Sequence, residues 1–242
     1  MPDTPPNTPV QTILLIGASR GLGHAMAAEF LKKGWNVVGT VRDGSGQTLL
    51  HDLQSHYQNR LEIEILDICK PDQLTALHQR LSDRKFDILF VNAGTANPDP
   101  NQTIGEISTK DFTDLMITNA LSPMRVIEKL KACVTPTGTI GVMSSGQGSI
   151  SNNETGLREL YRGTKAALNM FMRSFAARET ANVDPSRALV TMAPGWVRTD
   201  LGGPEGRLSI DESIPCLVKV LLEKHGKPGL EYLDYLGRTV PW

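Results

Sequence analysis

The sequence predicts an α/β protein, built as one domain around a doubly wound parallel β-sheet with helices on both faces. Short runs rich in Ile, Val and Leu alternate with amphipathic runs along nearly the whole chain. Such apolar runs suit strands that are buried on both faces, and the alternation implies right-handed β-α-β crossovers. In addition, the first apolar run leads directly into a glycine-rich loop and a helix-like segment.

The elements follow from this alternation in chain order. Strand-like runs lie at 12–17, 36–41, 61–66, 86–91, 139–143 and 188–192, and a last short strand at 231–235 is expected to close one edge of the sheet. Helix-like stretches lie at 22–33, 47–58, 71–83, 110–133, 160–180 and 211–225. Two glycine-rich loops, at 146–156 and 201–206, fall beyond strand ends, where ligands bind in a sheet of this kind.

Length and composition narrow the class of protein. The chain has 242 residues, with 25 Lys+Arg against 26 Asp+Glu, and this length suits a single domain. We expect a disordered, proline-rich tail at 1–10 and the domain at 11–242.

The near-zero net charge disfavours nucleic-acid binding, and no apolar run approaches the ~20 residues of a membrane helix. Cys69, Cys133 and Cys216 have neither metal-ligand nor disulfide spacing, so we expect a cytoplasmic protein without a metal site.

The glycine loop, residues 17–23 (GASRGLG), has the features of a phosphate-binding loop. Gly17 permits a tight turn, Gly21 lets the backbone approach a pyrophosphate, and Gly23 lets the following helix pack closely. The N–H groups of that helix's first turn would face the phosphates. The spacing G-x-x-x-G-x-G differs from the commonest dinucleotide fingerprint, so its position after the first strand carries most of the argument.

The same letters also fit G-x-S-x-G, the nucleophile elbow of serine hydrolases, with Ser19 as the nucleophile. A hydrolase elbow usually follows several strands, whereas this loop follows the first. The late histidine, His225, falls at the end of a predicted helix rather than in a loop. A serine hydrolase is therefore the less favoured alternative.

The residue after the second strand indicates which cofactor is preferred. A carboxylate there binds the ribose 2′-hydroxyl of NAD, whereas a basic residue favours the 2′-phosphate of NADP. Asp43 lies about 20 residues beyond Gly23 and by that count would favour NAD, but it falls past the strand end, where a turn residue is expected. Val41 occupies the usual acidic position, with Arg42 beside it. Because Arg42 and Arg20 could together bind a dianionic phosphate, the sequence favours NADPH over NADH.

A tyrosine, a lysine and a serine pair suggest a catalytic group. Tyr161 and Lys165 are four positions apart near the start of a predicted helix and so share one face. A nearby ammonium and an oxidised nicotinamide would lower the pKa of the phenol, which is about 10 in free tyrosine, and allow proton exchange with a carbonyl or alcohol oxygen. Ser144 and Ser145 follow the preceding strand. Either hydroxyl could donate to that oxygen, or both serines could simply form a turn.

Together these motifs resemble the short-chain dehydrogenase/reductase family over about residues 11–242. The motifs are the glycine loop, Leu-Asp-Ile at 66–68, Asn-Ala-Gly at 92–94, the TNALSP segment at 118–123, the Tyr-Lys pair, and the PGWVRT segment at 194–199. The resemblance implies a Rossmann-type fold. The sequence departs from the family pattern at Ile16 and Val91, and an insert around 152–158 is expected to reshape the rim of the substrate pocket.

The resemblance also implies the site residues. The catalytic set is Asn119, Ser145, Tyr161 and Lys165, with Ser144 as the alternative to Ser145. Tyr161 would be the general acid/base, Lys165 would bind the ribose hydroxyls, and Asn119 would support a water relay. The positions implied to bind the cofactor are Gly17, Ser19, Arg20, Gly21, Leu22, Gly23, Arg42, Asp67, Ile68, Asn92, Ala93, Gly94, Tyr161, Lys165, Pro194, Gly195, Val197 and Thr199.

The stretches YRGTKAALN, PGWVRTDLGG and GRTVPW resemble most the C-factor-like and carbonyl-reductase branch of the family. The implied activity is NADPH-dependent reduction of a small carbonyl compound, or the reverse oxidation of an alcohol. A signalling or sensing protein that binds the cofactor with little catalysis is the alternative. Family members often pair through the 110–133 helix and the tyrosine helix, so the resemblance implies a homodimer or homotetramer.

Overall fold

The computed structural model describes residues 10–182 and 187–242, so nearly all of the predicted tail lies outside the described residues. The strands are β1 (Thr12–Ile16), β2 (Asn36–Val41), β3 (Leu61–Ile65), β4 (Phe86–Val91), β5 (Val134–Met143), β6 (Ala188–Ala193) and β7 (Gly229–Asp234). The helices are α1 (Gly21–Lys32), α2 (Leu49–His56), α3 (Pro71–Leu81), α4 (Thr109–Met116), α5 (Ser122–Leu130), α6 (Glu159–Asn182) and α7 (Ile210–Lys224).

The seven strands form one parallel sheet in the order β3-β2-β1-β4-β5-β6-β7. This arrangement confirms the predicted single-domain, doubly wound, Rossmann-type fold. The chain first adds β2 and β3 on one side of β1. It then crosses back and adds β4 to β7 on the other side of β1, with all strands parallel. The carboxyl ends of β1 and β4 therefore flank the crevice where ligands bind in open α/β sheets.

Both faces of the sheet are covered, because alternate residues of each strand point to opposite sides. Ile13 and Leu15 pack into the cluster formed with α1, α2 and α7, and Leu14 and Ile16 into the cluster formed with α3, α5 and α6. All four side chains are fully buried. The near-continuous apolar composition of β1 is thus explained by two-sided burial.

The single helix predicted at 110–133 is wrong in one respect, because the helix is interrupted. α4 passes into a π-helical turn at Ile117–Leu121 before α5 begins. Pro123 has no N–H to donate to the carbonyl of Asn119 four residues earlier, and its ring crowds that carbonyl, so the regular ladder cannot continue. The turn places Asn119 in the protein interior.

β5 begins at Val134, five residues before the predicted start at 139. Its pairing with β4 is irregular between Phe86 and Ile88, where the register shifts. Residues 135–137 (Thr-Pro-Thr) fall in this irregular stretch and interrupt the apolar pattern on which the prediction rested. Among the described helices, none is long and apolar enough to cross a membrane.

Candidate active site

The glycine loop forms a tight cradle at the carboxyl end of β1. Gly17 has a φ of +86°, a conformation that L side chains rarely adopt, and its N–H donates to Thr40 Oγ1 at 2.8 Å. Its carbonyl oxygen accepts from Asn92 Nδ2 at 2.7 Å, and a Cβ on Gly23 would lie 2.0 Å from that oxygen. The loop therefore packs against β2 and β4 so closely that glycine is required at both positions, as the sequence indicated. This narrow backbone cradle at a helix N-terminus fits a dinucleotide pyrophosphate.

The predicted adenine and phosphate positions lie beyond the ends of β2 and β3. Asp67 donates its N–H to Gln73 Oε1 at 2.7 Å and accepts from the Cys69 N–H at 3.0 Å, so its side chain shapes its own turn. Asp43 accepts two hydrogen bonds from Ser45, which hold the pKa of its carboxyl below the usual range. Asp43 is thus engaged in a turn, whereas the side chain of Arg42 is exposed at the end of β2.

Arg20 has a partner that the sequence did not suggest. Its guanidinium lies 3.0 Å from the carboxylate of Asp200, which follows β6, and the side chains are 73% and 81% exposed respectively. This ion pair joins the glycine loop to the 194–208 loop, the segment between β6 and α7. To bind the 2′-phosphate as predicted, the Arg20 guanidinium would have to contact the phosphate and Asp200 together, or leave Asp200 for the phosphate.

The buried Asn119 is fixed by three hydrogen bonds. Its Nδ2 donates to the carbonyl of Thr95 at 2.7 Å and to Thr164 Oγ1 at 3.1 Å, and its Oδ1 accepts from the Thr95 N–H at 2.9 Å. A Cβ on Gly94 would lie 3.3 Å from both Asn119 Oδ1 and Lys165 Nζ. The structure thus brings together three of the predicted positions, which are distant in sequence.

Lys165 lies on α6 and is only 3% exposed. Its Nζ donates to the carbonyl of Met143 at 3.0 Å and lies 5.8 Å from the centroid of the Tyr161 ring. Burial disfavours the ammonium form and lowers the pKa of Lys165 to about 8. The side chain is therefore partly charged at slightly alkaline pH.

Tyr161 differs from the expectation that its pKa is lowered. Burial raises the pKa of the phenol to about 12, although the hydrogen bond with the Ser145 side chain and the charge of Arg158 act in the opposite direction. Desolvation of the phenolate is the largest effect because Tyr161 is only 8% exposed. The phenol is thus protonated at neutral pH.

The structure distinguishes the two serines. The Ser144 hydroxyl is buried and donates to Asn169 Oδ1 at 2.7 Å. The Ser145 hydroxyl accepts from the Gln147 N–H at 3.1 Å and is hydrogen-bonded to Tyr161. Ser145 is therefore the serine beside the phenol, as the motif indicated, and Ser144 is engaged inside the fold.

The geometry disfavours the hydrolase alternative. His225 lies beside Gln11 and Thr139, at 3.3 and 3.2 Å, and its ring packs edge-on against Trp35. Gln11 precedes β1, whereas Ser19 follows the carboxyl end of β1. The histidine therefore lies at the amino-terminal ends of the parallel strands, and the serine lies at their carboxyl ends.

The 194–208 loop folds back on itself beside the crevice. Gly195 has a φ of +82°, and the preceding Pro194 carbonyl accepts from Ser213 Oγ at 2.6 Å. The Trp196 indole N–H donates to the Gly202 carbonyl at 2.7 Å, and the Gly202 N–H donates to Thr199 Oγ1 at 3.0 Å. Val197 is buried and pairs with Leu208. The predicted positions Pro194, Gly195, Val197 and Thr199 therefore form one compact turn.

Several supporting residues could not be recognised from the motifs. They are Thr40, Thr95, Thr164, Asn169, Asp200 and Tyr232, each hydrogen-bonded to a predicted site residue or its neighbour. Only Thr40 had a local signal, since it lies one residue before the end of β2, the strand that pairs with β1 beside the glycine loop. In the described part of the chain, no group of three or more His, Cys, Asp or Glu could hold a metal ion.

Comparison with known proteins agrees with this geometry. The family model for short chain dehydrogenases matches residues 11–207. A short-chain dehydrogenase/reductase from Burkholderia multivorans, solved with bound NADP, is 69% identical with a TM-score of 0.94, over 97% of this chain and 100% of that one. A carbonyl reductase from Pseudomonas aeruginosa PAO1 in complex with NADP is 32% identical with a TM-score of 0.87, over 97% and 100%. The C-signal protein of Myxococcus xanthus is 30% identical over 159 residues, 64% of this chain and 92% of its own length.

The family model covers well over half of the chain, and the structural matches extend over nearly all of it. The chain therefore belongs to the short-chain dehydrogenase family.

Proposed function

We propose that the protein is an NADPH-dependent carbonyl reductase in which Tyr161 is the general acid/base. The observation that carries the proposal is the meeting of Tyr161, Ser145 and Lys165 beside a glycine cradle at the carboxyl edge of one sheet. Similarity to two proteins solved with NADP supports the choice of cofactor.

The chain's own residues fit the cofactor at both ends. The glycine loop would hold the pyrophosphate, the Asn92–Gly94 and Pro194–Thr199 segments would line the nicotinamide half, and Arg42 with Arg20 would bind the 2′-phosphate. Asp67 and Ile68 would contact the adenine. When bound, NADPH supplies the hydride that the carbonyl carbon accepts.

The proton comes from the protein. The Tyr161 hydroxyl gives its proton to the carbonyl oxygen as the C–H bond forms and the C=O π bond breaks, which yields an alcohol and a phenolate. The Ser145 hydroxyl donates a hydrogen bond to the same oxygen. The Lys165 ammonium stabilises the phenolate that remains. Asn119 Oδ1 accepts one hydrogen bond, from the Thr95 N–H, so its second lone pair could bind a water that helps to reprotonate the Tyr161 phenolate.

Oxidation of NADPH with a panel of aldehydes, ketones and diketones tests the proposal. We expect turnover with at least one carbonyl compound and higher kcat/KM with NADPH than with NADH. Tyr57→Phe is a matched control because the Tyr57 hydroxyl makes no hydrogen bond within the described residues, and full activity is expected. The proposal is wrong if no member of the panel is reduced.

Similarity to the C-signal protein favours one second candidate, a sensing or signalling protein that binds the cofactor without rapid chemistry. Tight NADPH binding without turnover of any carbonyl compound would support that candidate. Labelling of Ser19 by a fluorophosphonate would instead support the hydrolase, and we expect none.

Other predictions remain part of the proposal. We propose that residues 11–242 form the domain, that the protein is cytoplasmic, and that it forms a homodimer or homotetramer. Large apolar side chains are exposed on or between α4, α5 and α6, namely Phe112, Leu121, Met170 and Phe171, where a second copy could cover them. The insert around 152–158 would form the rim of the substrate pocket.

A further inference from the structure

Tyr232 on β7 contacts the serine turn (residues 144–148) from inside the protein. Its side chain is 1% exposed, and its hydroxyl donates to the carbonyl oxygen of Ser145. Burial raises the pKa of the Tyr232 phenol, and the neighbouring Asn169 and Ser144 side chains offset part of that rise. A buried tyrosine thus reaches the residue that flanks the Tyr161 phenol.

The Ser145 carbonyl oxygen is fully occupied, because it also accepts from the Gly148 N–H at 2.8 Å. The Ser145 hydroxyl oxygen in turn accepts from the Gln147 N–H. The far end of the turn is fixed by Asn169, whose Nδ2 donates to the Gly148 carbonyl at 3.1 Å. Tyr232 therefore contributes one of a small set of bonds that determine where the Ser145 hydroxyl points.

The ring of Tyr232 is itself held in place. The Trp242 ring lies 5.2 Å from it, and the Arg173 guanidinium lies 4.8 Å from the centroid of the Trp242 ring. The Trp242 carbonyl accepts from both the N–H and the hydroxyl of Ser151, at 3.2 and 2.9 Å. The phenol therefore has little freedom to leave Ser145, and its hydroxyl is rigidly presented to the turn.

We propose that Tyr232 is a positioning residue that acts on the carbonyl substrate through Ser145, an inference that rests on the proposed function. Its hydroxyl fixes the Ser145 peptide, and the fixed peptide aims the Ser145 hydroxyl at the substrate oxygen beside Tyr161. Tyr232 does not itself touch the substrate. Its effect must therefore disappear when Ser145 can no longer donate a hydrogen bond.

A double-mutant cycle tests this dependence. Tyr232→Phe keeps the ring and removes the hydroxyl, and we expect kcat/KM for the carbonyl to fall about three- to tenfold, the effect of losing one hydrogen bond, with NADPH affinity unchanged. In a Ser145→Ala background the same substitution should change kcat/KM by less than about twofold. Equal losses in both backgrounds would overturn the proposal. Tyr57→Phe, the matched control, should have no effect in either background.

A second readout needs no turnover. Without the Tyr232 hydroxyl, the serine turn should open more often, so amide hydrogen exchange in residues 144–149 should become faster in Tyr232→Phe and remain unchanged in Tyr57→Phe. Unchanged exchange in Tyr232→Phe would overturn the inference even if the protein is inactive. Failure of the proposed function has a different signature, an inactive native protein or an active Tyr161→Phe variant.

Discussion

The glycine loop after β1 and the serine turn after β5 both lie at the carboxyl edge of the sheet, but they are built differently. The glycine loop has no side chains of its own at its tightest points, and its backbone is held by two side chains, with the Gly17 N–H paired to the Thr40 hydroxyl and the Gly17 carbonyl to the Asn92 amide. The serine turn is shaped by buried side chains, including Tyr232, which is 87 residues away in sequence. The glycine loop would present backbone N–H groups to a ligand, whereas the serine turn and α6 would present particular hydroxyl and amine groups.

This difference predicts which kind of property each region controls. Backbone N–H groups and surface arginines bind anions, so changes near the glycine loop should alter cofactor affinity. Buried Tyr161 and Lys165 have pKa values displaced by desolvation, so changes there should alter the chemical step. Substitutions that separate binding from chemistry can therefore test the comparison.

Tyr161→Phe should have the largest effect. The variant keeps the ring in its pocket but has no proton to give, so kcat should fall by about 10²- to 10⁴-fold, the usual contribution of general acid catalysis. NADPH affinity, measured by fluorescence titration, should be nearly unchanged. Retained turnover would remove Tyr161 from the mechanism and contradict the assignment of chemistry to this region.

The pH dependence should differ between the two directions of the reaction. Reduction uses the protonated phenol, and because burial raises the pKa of Tyr161 to about 12, kcat/KM for the carbonyl should be level near neutral pH. Oxidation of an alcohol uses the phenolate, so its kcat/KM should rise about tenfold per pH unit. That rise should weaken towards pH 8, because the pKa of Lys165 is about 8 and half of the ammonium charge that stabilises the phenolate is lost there.

Initial rates measured in both directions across the neutral range provide the test. A level profile for oxidation would show that the phenolate is not the base. Tyr161→Phe is the reference here, because its residual oxidation should lose the dependence on pH.

Arg42→Asp should act on cofactor choice and leave the chemistry intact. Replacing a cation at the end of β2 by a carboxylate removes a charge-assisted hydrogen bond to the 2′-phosphate and introduces repulsion, so the preference for NADPH over NADH should fall about tenfold or more. The ratio of kcat/KM values for the two cofactors measures this, with kcat at saturating NADPH nearly unchanged. An unchanged ratio would place Arg42 outside the cofactor site.

The same difference explains what could be predicted from the sequence. The fold class, the tight turn at Gly17 and the turn at Asp43 depend on strand ends and on residues close in sequence, and the structure shows all three. The supporting side chains of Asn119, Ser145 and Arg20 come from residues far along the chain, for which no local pattern exists. The raised pKa of Tyr161 likewise depends on burial, which spacing does not reveal.

The helix interruption at Ile117–Leu121 could be predicted only in part from the local sequence. Apolar residues on both sides of the turn predicted one helix, namely Phe112, Leu115, Met116, Ile127 and Leu130. Pro123 was the available signal, since a proline inside a helix removes the hydrogen bond to the carbonyl four residues earlier. The proline predicts the place of the break, but not that Asn119 would turn inward to bind Thr95 and Thr164.

Asp200→Asn should give the smallest effect, and it probes the ion pair between Arg20 in the glycine loop and Asp200 in the 194–208 loop. Because the Arg20–Asp200 pair is exposed, its loss should leave Tm nearly unchanged, but it releases the Arg20 guanidinium for the 2′-phosphate. We expect NADPH to bind about two- to fivefold more tightly and NADH to bind as before. Asp114→Asn, which removes the exposed partner of Lys110 on α4, is the matched control and should change neither affinity. Weaker binding of both cofactors would instead mean that Asp200 closes the 194–208 loop over the cofactor, so that the two regions cooperate in binding.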